Sequence, residues 1–137
     1  MNIIFHLLAT GGTIACTRDN TGALVPTAQA RDLVAAAGVD HPQITTRDLT
    51  RLDSSSLTLS ELDGLTAAVR ESLAAGAAGI VITHGTDSLE DTALALDLVH
   101  DSETPVVLTG AQRAFDHPAA DGPANLRGAL AAAADPA

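Results

Sequence analysis

Residues 79–88 read GIVITHGTDS. The first five, Gly79 to Thr83, make a continuous apolar run, the pattern of a strand buried on both faces of a sheet. The last five crowd His84, Thr86, Asp87 and Ser88 around Gly85 at the strand's carboxyl tip. In open parallel sheets such tips are where ligands bind. Two readings of the tip stand side by side. Ser88 can cap the next helix while Asp87 bonds nearby backbone, or the cluster is a functional loop carried by a rigid strand.

The same design recurs on either side. Residues 3–12, IIFHLLATGG, predict a strand over Ile3–Ala9 closed by Gly11 and Gly12, with Thr13 directly after. Residues 104–111, TPVVLTGA, predict another strand ending beside glycine, followed by a long polar loop, QRAFDHPAADGPAN. A further strand is predicted over Gln43–Leu49, after a break at His41–Pro42. Residues 16–26, CTRDNTGALVP, are rich in turn formers and read as an exposed loop or loose hairpin.

Helices fill the intervals. Thr27 is read as the N-cap of a helix ending at Gly38. Thr58 and Glu61 form a capping box ahead of Leu62, Leu65, Val69 and Leu73 at helical spacing, with Gly76 and Gly79 closing that helix. Two more are predicted over Leu89–His100 and Pro123–Ala134. Strands alternating with helices predict an α/β fold: a mostly parallel sheet with helices on both faces.

Composition narrows the chemistry. Hydrophobic residues make up 46% of the 137, but aromatics only 1%, so the core must be aliphatic and closely packed. A net charge of −10 argues against a nucleic-acid partner, which needs a basic footprint. All seven basic residues are Arg, which excludes a Walker-type phosphate loop with its lysine. The single cysteine, Cys16, excludes an intramolecular disulfide and reads as a small buried hydrophobe. The apolar start lacks a basic leading region, and no run reaches the roughly 20 residues needed to span a bilayer; a soluble, cytoplasmic protein is expected. The five histidines show no metal-ligand spacing, and neither a metal nor an organic cofactor is expected.

Each polar cluster has a plain structural reading. TGGT at 10–13 can be a turn with an incidental Thr, and DSSS at 53–56 an ordinary turn before the Thr58 cap. Taken jointly, hydroxyls from separate strand tips with one Asp suggest acyl transfer. A Thr hydroxyl is a weak nucleophile that needs an adjacent base, and glycine-flanked backbone can hold an oxyanion. A serine ahead of a helix suits a substrate carboxylate.

These residues resemble the bacterial-type L-asparaginases, amidohydrolases that convert asparagine to aspartate and ammonia. The matching segments are ATGGTIA at 9–15, LDSSSLT at 52–58, ITHGTDSLEDTA at 82–93, PVVLTGAQR at 105–113 and ADGPANLRGA at 120–129, in the family's order and spacing. The resemblance implies a Rossmann-like or flavodoxin-like N-terminal asparaginase domain. It implies that Thr13 is the nucleophile, Thr86 the second catalytic threonine and Asp87 the carboxylate that grips the substrate's α-ammonium group. Ser54 corresponds to the residue that binds the α-carboxylate, flanked by Asp53 and Ser55, while Gly12, Gly85 and Ala111 complete the implied substrate contacts. Residues 17–27 match a mobile flap. The implied partners are a small-molecule substrate, L-asparagine with L-glutamine as the alternative, and further copies of the chain in a dimer or tetramer.

This sequence departs from the family at two points. The family carries a Tyr on the flap, whereas this chain has none and places Leu24, Val25 or Pro26 there. The family's second Thr pairs with a Lys on a strand beyond the segment ending at Asp135, and this chain has no Lys. Family members are more than twice as long, so residues 1–137 are expected to be an incomplete N-terminal domain. The rival expectation is a catalytically inactive fragment acting at most in binding or oligomerisation. A third is an amidotransferase component acting on amidated transfer RNA, against which the acidic balance weighs.

Overall fold

A computed structural model describes residues 3–39 and 43–135. Four parallel strands form the main sheet: β1 (Phe5–Gly11), β4 (Ile44–Leu52), β5 (Gly79–Thr83) and β6 (Val106–Thr109), in the order β4-β1-β5-β6. A separate antiparallel hairpin is made by β2 (Cys16–Arg18) and β3 (Leu24–Pro26). Among the described residues, four α-helices, α1 (Ala30–Ala37), α2 (Leu59–Ala74), α3 (Leu89–Val99) and α4 (Gly122–Ala134), and two short 3-10 turns accompany the strands. Among the described residues, no helix is long and apolar enough to cross a membrane.

The strand residues alternate between two aliphatic cores, as period-two geometry demands. Leu7, Ala9 and Val81 face Ala30, Leu33 and Ala37 of α1 and Leu126, Ala129 and Ala133 of α4. Leu8, Ile80 and Ile82 face Leu65, Ala68 and Val69 of α2 and Leu96 of α3. The chain moves from β1 outward to β4, then back past β1 to β5 and β6. That reversal puts the topological switch point between the carboxyl ends of β1 and β5, where α/β sheets open a crevice.

Several boundaries shift for physical reasons. Helix α1 is capped at Gln29, not Thr27: the Gln29 amide donates to Asp32 (2.8 Å) and the Ala30 amide to Asp48 of β4 (2.9 Å). The Thr27 amide is instead engaged by the Ala15 carbonyl, and its hydroxyl lies 2.7 Å from that of Thr17. The capping box of Thr58 and Glu61 forms as expected, and α2 buries Leu65 and Val69. Gly76 follows its end at φ 80°, whereas Gly79 belongs to β5. The predicted break at His41–Pro42 lies outside the described residues.

Strand β4 runs three residues past its predicted end at Leu49. Its register against β1 slips between Ala9, opposite Asp48, and Gly11, opposite Leu52. The Thr50 hydroxyl donates to the Thr10 carbonyl across the slip, and the Thr10 hydroxyl donates to the Thr83 carbonyl of β5 on the other side, both at 2.8 Å. This irregularity carries residues 52–54 toward the tip of β1. The 16–26 segment is ordered by Asp19, whose carboxylate accepts from the Thr21 amide (2.8 Å), the Thr21 hydroxyl (2.6 Å) and the Ala23 amide (3.0 Å).

The central strand sets stability. Leu7 is fully buried between α1 and α4, so Leu7→Ala is expected to lower unfolding free energy by roughly 2–5 kcal/mol. Urea denaturation followed by circular dichroism checks this, and a loss below about 1 kcal/mol contradicts the placement of the core.

Candidate active site

The tips of three strands converge on one open cleft lined by Gly12, Thr13, Asp53, Ser54, Gly85, Thr86 and Asp87. Thr13 opens a single 3-10 turn, Thr13–Ala15, directly after β1. Asp53 caps a second such turn, Ser54–Ser56, accepting from the Ser55 amide at 3.1 Å. Thr86 and Asp87 leave the end of β5 on the way to α3.

Close backbone approach joins these pieces. A Cβ on Gly12 would lie 2.5 Å from the Gly85 nitrogen and Cα, and Gly12 itself sits at φ 77°. A Cβ on Gly85 would lie 2.5 Å from the Ser54 Oγ. Ser54 is buried, and its Oγ accepts from the Asp87 amide (3.0 Å) while its carbonyl accepts from the Ser88 hydroxyl (2.9 Å). Ser88 therefore ties two tips together in addition to preceding α3.

In contrast, the groups facing the cleft are unengaged. Among the described residues, the Thr13 and Thr86 hydroxyls, the Thr86 amide and the Asp87 carboxylate make no hydrogen bond or ion pair. Half-exposed Thr13 and exposed Thr86 and Asp87 thus present two donors or acceptors and one anion to whatever enters. Ser55 and Ala111 are not brought to the cleft: Ser55 is exposed beside Asp53, and Ala111 is packed in the core with Leu126.

The remaining walls are Cys16, Leu24, Pro26 and Leu52. Leu24 and Pro26 share one face of β3 by alternation, whereas Val25 points away from the lining. The buried Cys16 thiol donates to the Gly12 carbonyl at 3.3 Å. Burial, then the carboxylates of Asp53 and Asp116, push its pKa up, so it is an inert wall. No group of His, Cys, Asp and Glu suited to a metal occurs among the described residues.

The loop after β6 is held shut by one side chain. The Asp121 carboxylate accepts from the Gln112 and Arg113 amides, both at 2.9 Å, and from Asn125, which also donates to the Gly110 carbonyl. The Phe115 amide then donates to the Cys16 carbonyl and Asp116 accepts from the Arg18 amide, each at 2.8 Å, docking the hairpin onto this loop.

The fold and the cleft define a class: a doubly wound α/β protein whose hydroxyl-rich candidate site lies at the switch point. The family model for the asparaginase N-terminal domain matches residues 5–137, and the chain belongs to the asparaginase family. The thermostable L-asparaginase from Thermococcus kodakarensis superposes with a TM-score of 0.87 at 36% identity, covering 98% of this chain and 42% of that one. A structure described as a probable cytoplasmic L-asparaginase from Campylobacter jejuni gives 0.87 at 37% identity, covering 97% and 42%. Among curated proteins, the chain is 41% identical over 134 residues to a glutamyl-tRNA(Gln) amidotransferase subunit from Methanococcus vannielii, covering 95% of this chain. It is 38% identical over 130 residues to the same amidotransferase subunit from Halobacterium salinarum, covering 93%. The chain spans about a third of the length of these curated relatives, 31% and 30%.

Two tests follow from the geometry. Gly85→Ala drives a methyl into Ser54 and is expected to speed hydrogen exchange at the Asp87 amide that Ser54 holds at least tenfold, with an unchanged fold by circular dichroism; unaltered exchange contradicts the close contact. The amides of Gln112, then Arg113, with the Asn125 side chain, hold the Asp121 carboxyl below its usual range. A depressed folded pKa gives stabilisation that is present above the unfolded value near 3.9 and lost as pH falls through the folded one. Hydrogen exchange at the Gln112 and Arg113 amides should therefore accelerate below about pH 4 relative to the core of β5. In Asp121→Asn it should already be fast at pH 6.

Proposed function

We propose that this chain is the nucleophile-bearing part of an amidohydrolase that converts L-asparagine to L-aspartate and ammonia. The observation that carries this reading is the meeting, in one cleft, of Thr13, Thr86, Asp87 and buried Ser54 in a chain of the asparaginase family. Asp87, with its carboxylate unengaged, takes the substrate's α-ammonium group. The Ser54 oxygen already accepts the Asp87 amide, so its hydroxyl proton is available to the α-carboxylate.

In this reading the Thr13 Oγ attacks the side-chain amide carbon and loses its proton to a base. The C–N bond breaks, the nitrogen takes a proton and leaves as ammonia, and an ester remains on Thr13. Thr86, in the same cleft, positions the water that hydrolyses the ester, returning the threonine and releasing aspartate. The chain contains neither Lys nor Tyr, and among the described residues no basic group touches the Thr13 hydroxyl, so the base in this reading is a group that these residues do not hold beside Thr13. A missing base typically costs 10²–10⁴-fold, so these residues alone are expected to be nearly inactive. The working assembly is then a homo-oligomer in the cytoplasm.

A second reading has its own observation: relatives at 38–41% identity are glutamyl-tRNA(Gln) amidotransferase subunits. There the same cleft would release ammonia for transfer to glutamyl-tRNA, and the net charge of −10 leaves RNA contact to a partner.

Ammonia release by the full-length protein tests both. Thr13→Ala and Thr86→Val are each expected to cut turnover of L-asparagine by at least 10³-fold while L-aspartate still binds, and near-normal turnover in either overturns the role given to that residue. Release from free L-asparagine without a partner supports the first reading; strict dependence on a partner and tRNA replaces it with the second.

A further inference from the structure

Behind the cleft lies a histidine that the reaction above does not use. His84 is only 1% exposed and does not line the cleft, although its neighbours Gly85 and Thr86 do. Both ring nitrogens are engaged. Nδ1 lies 2.7 Å from the carbonyl of Gly85, the next residue, and Nε2 lies 3.0 Å from the hydroxyl of Thr92, itself 1% exposed. A carbonyl only accepts, so Nδ1 carries the proton and Nε2 accepts from the Thr92 hydroxyl.

We propose that His84 and Thr92 form a positioning pair that fixes the Gly85–Thr86 peptide at the working edge of the cleft; the inference rests on the reading of that cleft given above. A trans peptide carries its C=O and N–H on opposite sides. Holding the Gly85 carbonyl against the buried ring therefore turns the Thr86 N–H away from the ring, as a free donor beside the Thr86 hydroxyl. The restraint is needed because glycine lets the adjoining peptide rotate more readily than any other residue.

Each end of the relay is anchored. The Thr92 amide donates to the Ser88 carbonyl (3.0 Å) in the first turn of α3, and the His84 amide donates to the Thr109 carbonyl of β6 (2.9 Å). Gly110 gives the histidine backbone room, since a Cβ there would lie 2.7 Å from the His84 carbonyl oxygen. With both nitrogens occupied, the ring has no capacity left for substrate, so His84 acts through the peptide it holds.

The test reads the peptide directly as well as the chemistry. Long-range nitrogen–proton NMR on the 137-residue chain is expected to show the His84 ring protonated at Nδ1 alone. Thr92→Val removes the hydroxyl while keeping the shape. It should shift the Thr86 amide resonance and speed its hydrogen exchange, while Thr92→Ser restores both. In the full-length protein, Thr92→Val should lower kcat roughly two- to tenfold, the range of one lost buried hydrogen bond, with KM changed less than twofold and kcat recovered in Thr92→Ser. A ring proton on Nε2, or a Thr86 amide indifferent to Thr92→Val, overturns the pair. A lowered melting temperature with unchanged Thr86 amide and kcat assigns Thr92 a purely structural role and also overturns it. If the NMR results hold while the full-length protein hydrolyses no amide, the proposed function fails and the positioning pair stands.

Discussion

At the carboxyl ends of β1 and β5 two backbones meet with no side chain between them. A Cβ on Gly12 would sit 2.5 Å from Gly85, and one on Gly85 would sit 2.5 Å from Ser54. This packing closes three strand tips into one wall, and it is possible only because parallel pairing fixes Ala9 opposite Thr83. The aliphatic cores on both faces of the sheet hold that register. A slip of one residue would send Leu7 and Leu8 to each other's faces and withdraw Gly12 from Gly85.

Around that contact the polar groups divide cleanly. Those behind the wall are satisfied within the protein: Thr10 on the Thr83 carbonyl, Thr50 on the Thr10 carbonyl, His84 between Gly85 and Thr92. Those in front, the Thr13 and Thr86 hydroxyls and the Asp87 carboxylate, have no partner among the described residues. Preorganised groups of this kind need not rearrange when charge arrives, the condition under which fixed dipoles stabilise a reacting centre. Among the described residues one group breaks the division: the Thr83 hydroxyl is buried with no hydrogen-bond partner.

What could be read from the sequence was local. The run Gly79–Thr83, the Thr58–Glu61 capping box and the glycine-flanked tips each depend on neighbours a few residues apart, and the parallel α/β sheet followed from their alternation. The features that escaped depend on distant partners. Asp48, 18 residues from Ala30, supports the start of α1 and makes Gln29 the cap, not Thr27. The register slip that carries Ser54 inward while Ser55 faces solvent is a property of the β1–β4 pair. Alternation in β3 selects Leu24 and Pro26 over Val25, but only once the hairpin is known to pair.

On the proposed reading, the cleft's groups divide between those that recognise an amino-acid backbone and those that meet its side chain. On the roles proposed, Asp87 and Ser54 recognise the ammonium and carboxylate common to every α-amino acid, and Thr13 meets whatever amide carbon the side chain delivers. Neither pair of groups measures side-chain length. The apolar part of the lining is left to Leu24 and Pro26, which stand on a hairpin moored through Phe115 and Asp116 to the loop that Asp121 closes. An apolar wall discriminates one methylene by only about 1–3 kcal/mol. How firmly Leu24 and Pro26 stand there depends on the loop that the Asp121 carboxylate closes through the Gln112 and Arg113 amides.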